Sequence, residues 1–336
     1  MTDRRRINGP RGGTNPPIFA SSLTSPSTLQ ATRPTRTRRP DELRKIYLKT
    51  GLTPSASGSA YLELTPSSPA SHQANSLIPV SSSLKLTCTV HGPRPLPRSA
   101  PFTLHLLLTT HVKFAPFAAR QRRGYTRDAS ERDLGVHLET ALRGVIIGER
   151  WPKSGVEVII TVLEGEEDRW WGDEVGAGSN GVGAGGGWGM MNVLAGCITV
   201  ASAAIVDAGI DCVDMVVGGV AAIVGNSNAR RKRQLVTAEG RQTVLDPCPS
   251  EHENLEAACV VGYLQNRDEI TELWVMGNAG TATEDLVDRA IDAANAARGV
   301  LVEAIKEAAQ SKFGIKDADN GERKSTAATQ DVEMAG

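Results

Sequence analysis

Two clusters of side chains have the types and spacing that chemistry needs. The first is acidic. In SEHENLEAACVV, residues 250–261, Glu251, Glu253 and Glu256 crowd around His252, and gathered carboxylates can bind a divalent cation or give a proton to a leaving group. Their spacing matches no metal-ligand motif. The second cluster is basic, because RQRRGYTR sets Arg120, Arg122, Arg123 and Arg127 around Tyr125. Guanidiniums hold phosphates and an aromatic ring stacks on a base, so this segment fits a nucleic-acid strand as well as it fits a solvated charge run. A shorter run, ARRKR at 229–233, is compatible with a nuclear import signal, an RNA contact or a plain loop.

Other chemistries find less support. GAGSNGVGAGGGWG leads into an apolar helical stretch, and helix N-termini receive phosphate, but no Gly-Lys-Ser/Thr follows and an inserted low-complexity loop is the commoner use of such glycines. The six histidines are scattered, without H-x-E or H-E-x-x-H, and no serine stands in a G-x-S-x-G elbow. Cys88, Cys197, Cys212, Cys248 and Cys259 are odd in number, lack a C-x-x-C pair and sit mostly in apolar runs, which predicts buried thiols in a reducing compartment. No cofactor is expected.

The elements that would carry these residues follow from periodicity. The chain has 336 residues, 40% hydrophobic, with 37 basic against 38 acidic side chains, enough for a sizeable core and too balanced for net charge to name a partner. Residues 1–40 are rich in Arg, Pro, Ser and Thr with Asp3 as their sole acid, and read as a disordered basic arm. Strands are expected in LRKIYLKT, GSAYLEL, LKLTCTV, FTLHLLLTTHVKF, VEVIITVLE, MVVGGVAAIV, AACVVGYL and EITELWVM. One helix follows the arginine cluster, with Leu134, Leu138, Leu142 and Val145 inward and Ser130 near its N-cap. A second covers VLAGCITVASAAIV. The aspartates that follow, Asp207, Asp211 and Asp214, speak against a membrane span here. A third starts near Glu284 with Thr281 and Glu284 as a capping box, burying Val287, Ala290, Ile291, Ala294, Leu301, Ile305 and Ala308. The order predicts an α+β fold over 41–315, with inserted loops at about 65–82, 172–188 and 226–236 and a disordered tail at 316–336. The arginines behind Met1 lack the apolar run of a secretory signal.

Taken together, SGSAYLEL, LKLTCTVHGPR, VKFAPFAARQRR, HLETALRGVIIGERWPKSGVEVIITVLEG and LAGCITVASAAIVDAGIDCVDMVVGGVAAIV resemble the RNase PH family in order and spacing, over most of Asp41 to Gly277. The resemblance implies an RNase PH-like fold of mixed sheets packed with helices. Members of that family form six-membered rings around an RNA channel, and active ones cleave RNA from its 3′ end with phosphate as nucleophile. Counted back from Asp207, the family's phosphate arginine falls on Leu194, between Val193 and Ala195; counted forward from Asp246, its carboxylates fall on His252 and Ala258. A shift of register would bring Glu251 or Glu253 into play, yet no lysine or arginine stands between Gly178 and Val224.

The chain therefore resembles the inactive ring subunits of the eukaryotic RNA exosome, and among them the messenger-RNA-transport-regulator type. That resemblance implies no catalytic or metal-binding residue. The partners it implies are RNase PH-like neighbours in a hexameric ring, cap proteins with RNA-binding domains, a separate catalytic nuclease and single-stranded RNA, and no membrane. It also implies that Arg120, Arg122, Arg123 and Arg127 line the RNA path, and a location in nucleus, nucleolus and cytoplasm. The competing readings are an active phosphate-dependent 3′ exoribonuclease and a free RNA-binding module.

Overall fold

Alternation decides the first layer of the computed structural model, which describes residues 36–65, 83–119, 128–168, 187–225, 241–252 and 255–314. Its five strands are β1 (Lys45–Thr50), β2 (Gly58–Thr65), β3 (Leu84–Pro95), β4 (Leu107–Phe114) and β5 (Ser154–Glu164). In β3, Leu84, Leu86, Cys88 and Val90 are buried while Lys85, Thr87, Thr89 and His91 stay half exposed, the mark of a sheet with one face on a core. The order is β1-β2-β3-β5-β4. Only β4 and β5 run parallel, joined by the crossover helix α1 (Ala129–Arg143); the other pairs are antiparallel.

The second sheet obeys a different rule. Its strands β6 (Val217–Gly225), β7 (Arg241–Leu245), β8 (Leu255–Leu264) and β9 (Glu269–Gly277) run antiparallel in the order β7-β6-β8-β9. Nearly every residue of β6 and β8 is buried, because α2 (Trp188–Asp207) covers one face and α3 (Thr283–Phe313) the other. Adjacent glycines in β6 make this possible. A Cβ on Gly218 would stand 2.3 Å from the Ala195 carbonyl oxygen of α2, and one on Gly219 would stand 2.1 Å from that of Ala290 in α3; neighbouring strand residues point to opposite faces, so each glycine admits one helix. α2 is buried without a break from Met191 to Ile205. It is long and apolar enough to cross a membrane, and a helix enclosed by protein on all sides needs the same composition.

Several expectations change. The described fold begins at Arg36, so residues 36–40, read from composition as part of a disordered arm, pack against the domain; Arg38 is only 8% exposed. The insert expected at 172–188 gives way to helix at Trp188. Strand β7 was not anticipated: five residues are too few to display a period. The N-cap of α1 is Asp128, two residues before Ser130, and α3 starts behind a 3₁₀ turn, Gly280–Ala282, whose carbonyl at Gly280 accepts the Thr283 hydroxyl at 2.8 Å, with Ala282 as N-cap, so the Thr281–Glu284 capping box does not form. The buried line of α3 is Leu286, Ala290, Ala293, Ala294, Ala297 and Leu301, with Val287, Ile291, Ile305 and Ala308 half-buried beside it. Close approach to Gly219 favours alanine there.

Candidate functional site

The acidic turn after β7 is enclosed by arginines from the far end of the sequence. Asp246 follows Leu245 with φ +47°, a left-handed conformation that aspartate tolerates better than most residues, and this turns its carboxylate inward. Arg44, just before β1, meets it three times: the backbone N–H and Nε donate to Oδ2 at 2.9 and 2.8 Å, and Nη2 donates to Oδ1 at 2.7 Å. The other side of the same guanidinium donates to Glu166 Oε1 and Oε2 at 3.0 and 3.2 Å, from the end of β5. Arg38 bridges Asp246 Oδ2 and Glu251 Oε2, each at 2.9 Å. Arg36 donates instead to five main-chain carbonyls, those of Arg39, Pro40, Glu42, Leu245 and Asp246. Asn192 of α2 completes the cluster through Nδ2, which donates to Glu166 Oε2 at 2.6 Å and to the Pro247 carbonyl at 2.5 Å.

Three arginines thus face three carboxylates in a buried setting. Burial disfavours the charge on Asp246, but Arg44 and Arg38 outweigh it and hold its pKa well below the usual carboxylate range. Burial likewise opposes the charge on Arg44, and Asp246 and Glu166 outweigh it, holding its pKa well above the ordinary value. Glu166 goes the other way: burial and the nearby Asp246 raise it against the pull of Arg44. Burial lowers Arg36, with Arg38 adding to the shift. The cluster draws on both sheets and on α2, so its first consequence is mechanical. It pins the segment before β1 to the turn after β7, roughly two hundred residues away in sequence.

The residues singled out from sequence fall in several environments. Leu194 is fully buried in α2 between Val193 and Ala195. Ala258 is buried in β8 opposite Ala222. His252 closes the turn behind Glu251, half-buried; Glu256 pairs with Arg241 at 2.9 Å, and Glu253 lies outside the described residues. Arg120, Arg122, Arg123 and Arg127 also lie outside them. The ends of their segment are fixed, since Phe114 N–H donates to the buried Glu131 of α1 at 3.0 Å and the Ala118 carbonyl accepts from Gly165 N–H at 2.7 Å. At the start of α2, where the glycine run suggested room for phosphate, Gly189 N–H donates to the carboxylate of Asp168 at 2.9 Å. The chain supplies its own anion to the helix dipole. Cys88, Cys197, Cys248 and Cys259 are buried and Cys212 is half-buried; burial pushes Cys212 up to about 11 and Cys259 up to about 12.

The chain has known relatives. The 3′ exoribonuclease family, domain 1 (RNase PH), matches residues 42–211, half of the chain. The exosome complex component MTR3 of Chaetomium thermophilum is 53% identical over 315 residues, covering 91% of this chain and 99% of that protein. The chain belongs to the RNase PH family, on its MTR3 branch. Human exosome complex component MTR3 is 28% identical, over 83% of this chain and 84% of its own length. Among solved structures of the RNase PH fold, rice Rrp46 superposes with a TM-score of 0.57 at 15% identity, covering 80% of this chain and 98% of that one. The Archaeoglobus fulgidus exosome with RNA bound to the active site gives 0.56 at 14%, covering 81% and 98%.

In this RNase PH domain, sequence reasoning placed Asp246 and Glu251 but missed their partners. Arg36, Arg38 and Arg44 carried one usable signal, the run of arginines shortly before the first strand, and Asn192 carried none. Composition pointed the other way, towards a solvated arm, because a polar segment orders only when distant residues neutralise it.

Proposed function

We propose that the protein is a non-catalytic ring subunit of the RNA exosome, scaffolding 3′-to-5′ RNA processing and degradation and helping to conduct RNA. The observation that carries this reading is Leu194. A phosphate nucleophile needs its charge balanced and its oxygen aimed at phosphorus, which positioned cations and hydrogen bonds accomplish. At the position where the family resemblance puts that cation stands a hydrocarbon side chain with no solvent exposure. His252 and Ala258 stand in the carboxylate places by the count from Asp246; of the neighbouring acids, Glu251 is bonded by Arg38, both oxygens of Asp246 are bonded by Arg44 and Arg38, and Glu253 lies outside the described residues. The names of the relatives, exosome complex components, support the assembly.

In this reading RNase PH-like neighbours complete a hexameric ring, cap proteins bearing RNA-binding domains sit on it, and a separate nuclease does the cutting. Arg120, Arg122, Arg123 and Arg127 line the path of single-stranded RNA, and the protein works in nucleus, nucleolus and cytoplasm, which imaging of a tagged chain reads out. The central test is chemical. The ring, assembled without its associated nuclease, is incubated with labelled single-stranded RNA, magnesium and phosphate; no nucleoside diphosphate is expected. Diphosphates that disappear in Glu251→Ala or Glu253→Ala would overturn the reading in favour of an active phosphorolytic enzyme.

A further inference from the structure

The outer face of the first sheet carries a group of side chains that neither the core nor the acidic turn uses. On the edge strand β1, Lys45, Tyr47 and Lys49 alternate outward and all three are exposed, Tyr47 by 53%. Their inward neighbours Ile46 and Leu48 pack on the core. Across the ladder, Lys49 faces Tyr61 and Tyr47 faces Glu63. The two tyrosine rings meet edge to face, with centroids 6.3 Å apart and planes at 65°, so Tyr61 buttresses Tyr47 and leaves it standing in solvent.

The charges on this face are not evenly committed. Glu63 accepts the Tyr61 hydroxyl at 3.0 Å and lies 4.0 Å from Lys85, and Glu164 accepts from Lys85 at 2.9 Å and from Ser83 N–H at 3.1 Å. Both acids are therefore held by groups on their own sheet. Lys45 and Lys49 have no ion pair among the described residues. What the face offers to solvent is an aromatic ring with an uncommitted ammonium two residues to each side, at about 6–7 Å spacing along the strand. A flexible polyanion with planar groups matches that pattern: bases stack on the ring and phosphates meet the lysines. A protein partner would find little apolar area beside Tyr47, since the outward residues of β3 are Lys85, Thr87, Thr89 and His91, and the half-exposed Ile159 stands farther off, on β5.

We infer that the outer face of β1 and β2 is a landing surface for single-stranded nucleic acid, with Tyr47 stacking on a base and Lys45 and Lys49 meeting the flanking phosphates. The surface draws on no residue of Arg120–Arg127, and it requires neither that segment nor the ring.

The test uses the full-length chain with whatever proteins co-purify, a labelled oligouridine and a series of salt concentrations. Tyr47→Ala is expected to weaken binding on the order of 5- to 150-fold, the loss of one stacked base, while Tyr47→Phe, which keeps the ring, binds as the parent does. Lys45→Ala with Lys49→Ala is expected to lower the salt slope by about 1.4, two single-strand phosphate contacts. The Tyr47 effect is expected to persist when Arg120, Arg122, Arg123 and Arg127 are all alanine. That result stands even if the ring assay of the preceding section fails. Unchanged affinity and slope in the β1 variants overturn the inference. So does self-association of the lysine variant with RNA binding intact, since lysines on an edge strand also block strand addition. Loss of a co-purifying protein with RNA binding intact overturns it in favour of a protein-docking face.

Discussion

The two sheets solve the same problem in opposite ways. The five-stranded sheet buries one face, so its central strands β3 and β5 alternate and the outward row of Lys85, Thr87, Thr89 and His91 is left half exposed. The central strands of the four-stranded sheet are enclosed between α2 and α3, so β6 is apolar throughout and its adjacent Gly218 and Gly219 replace side chains where the helices touch it. The first sheet has a surface to offer a partner, and the second has none across β6. Tolerance to change should divide along the same line. The buried arginine cluster joins the two sheets, and His137 of α1 adds a smaller link, with Nδ1 2.8 Å from Glu272 Oε1 and its ring stacked on Trp274 at 4.9 Å.

The largest effect is expected where the sheets are joined. Arg44→Ala leaves Glu166 buried without its cation and Asp246 with Arg38 alone, and removal of one partner from such a set costs about 3–5 kcal/mol. Arg44→Lys should recover little, because one ammonium cannot reproduce the planar fork that grips both carboxylates. Urea unfolding of the purified protein measures both, and a midpoint for Arg44→Ala equal to the parent's would remove the cluster from any account of the fold.

Next comes the enclosed sheet. Gly219→Ala puts a Cβ against the backbone of α3, where nothing can swing aside, and overpacking of this kind costs about 1–3 kcal/mol or more. Thr87→Val on the open face should change stability by less than about 0.5 kcal/mol. Equal shifts in the two variants would erase the distinction between the sheets.

A finer test uses pH. The folded pKa of Asp246 is depressed, so its stabilising contribution is fully present above the unfolded value, near 4, and is lost as pH falls through the lower folded value. Asp246→Asn should therefore be less stable than the parent at pH 7, with the gap narrowing as pH is taken below about 4. A gap that stayed constant from pH 7 to pH 3 would mean that the charge on Asp246 contributes nothing.

Much of this was legible in the residues. Period-two alternation found the strands of the open sheet, and the long apolar stretch around VLAGCITVASAAIV announced a helix enclosed on every side. The three helices were placed, the start of α1 to within two residues of Ser130, but Thr281, which has the right side chain for a cap, stands one residue before the N-cap of α3, Ala282. The buried line of α3 was set by the glycine it meets rather than by its largest apolar residues. At the acidic turn, the absence of a metal motif and the missing basic residue near Leu194 could be read directly. That Glu251 is held by Arg38 could not.

The sequence by itself determined the local periods, the apolar segments and the residue types at the turn after β7, because these depend on neighbours a few positions apart. It also determined that Leu194 stands in the first half of α2. Only the tertiary structure decided that Arg36 and Arg38 leave the polar arm to join the core, that Asp168 fills the start of α2, and that Lys45, Tyr47 and Lys49 share an open face with Tyr61. A buried charge is stable only beside its counterion, and the counterions of Asp246 arrive from the other end of the chain, where no local pattern announces them.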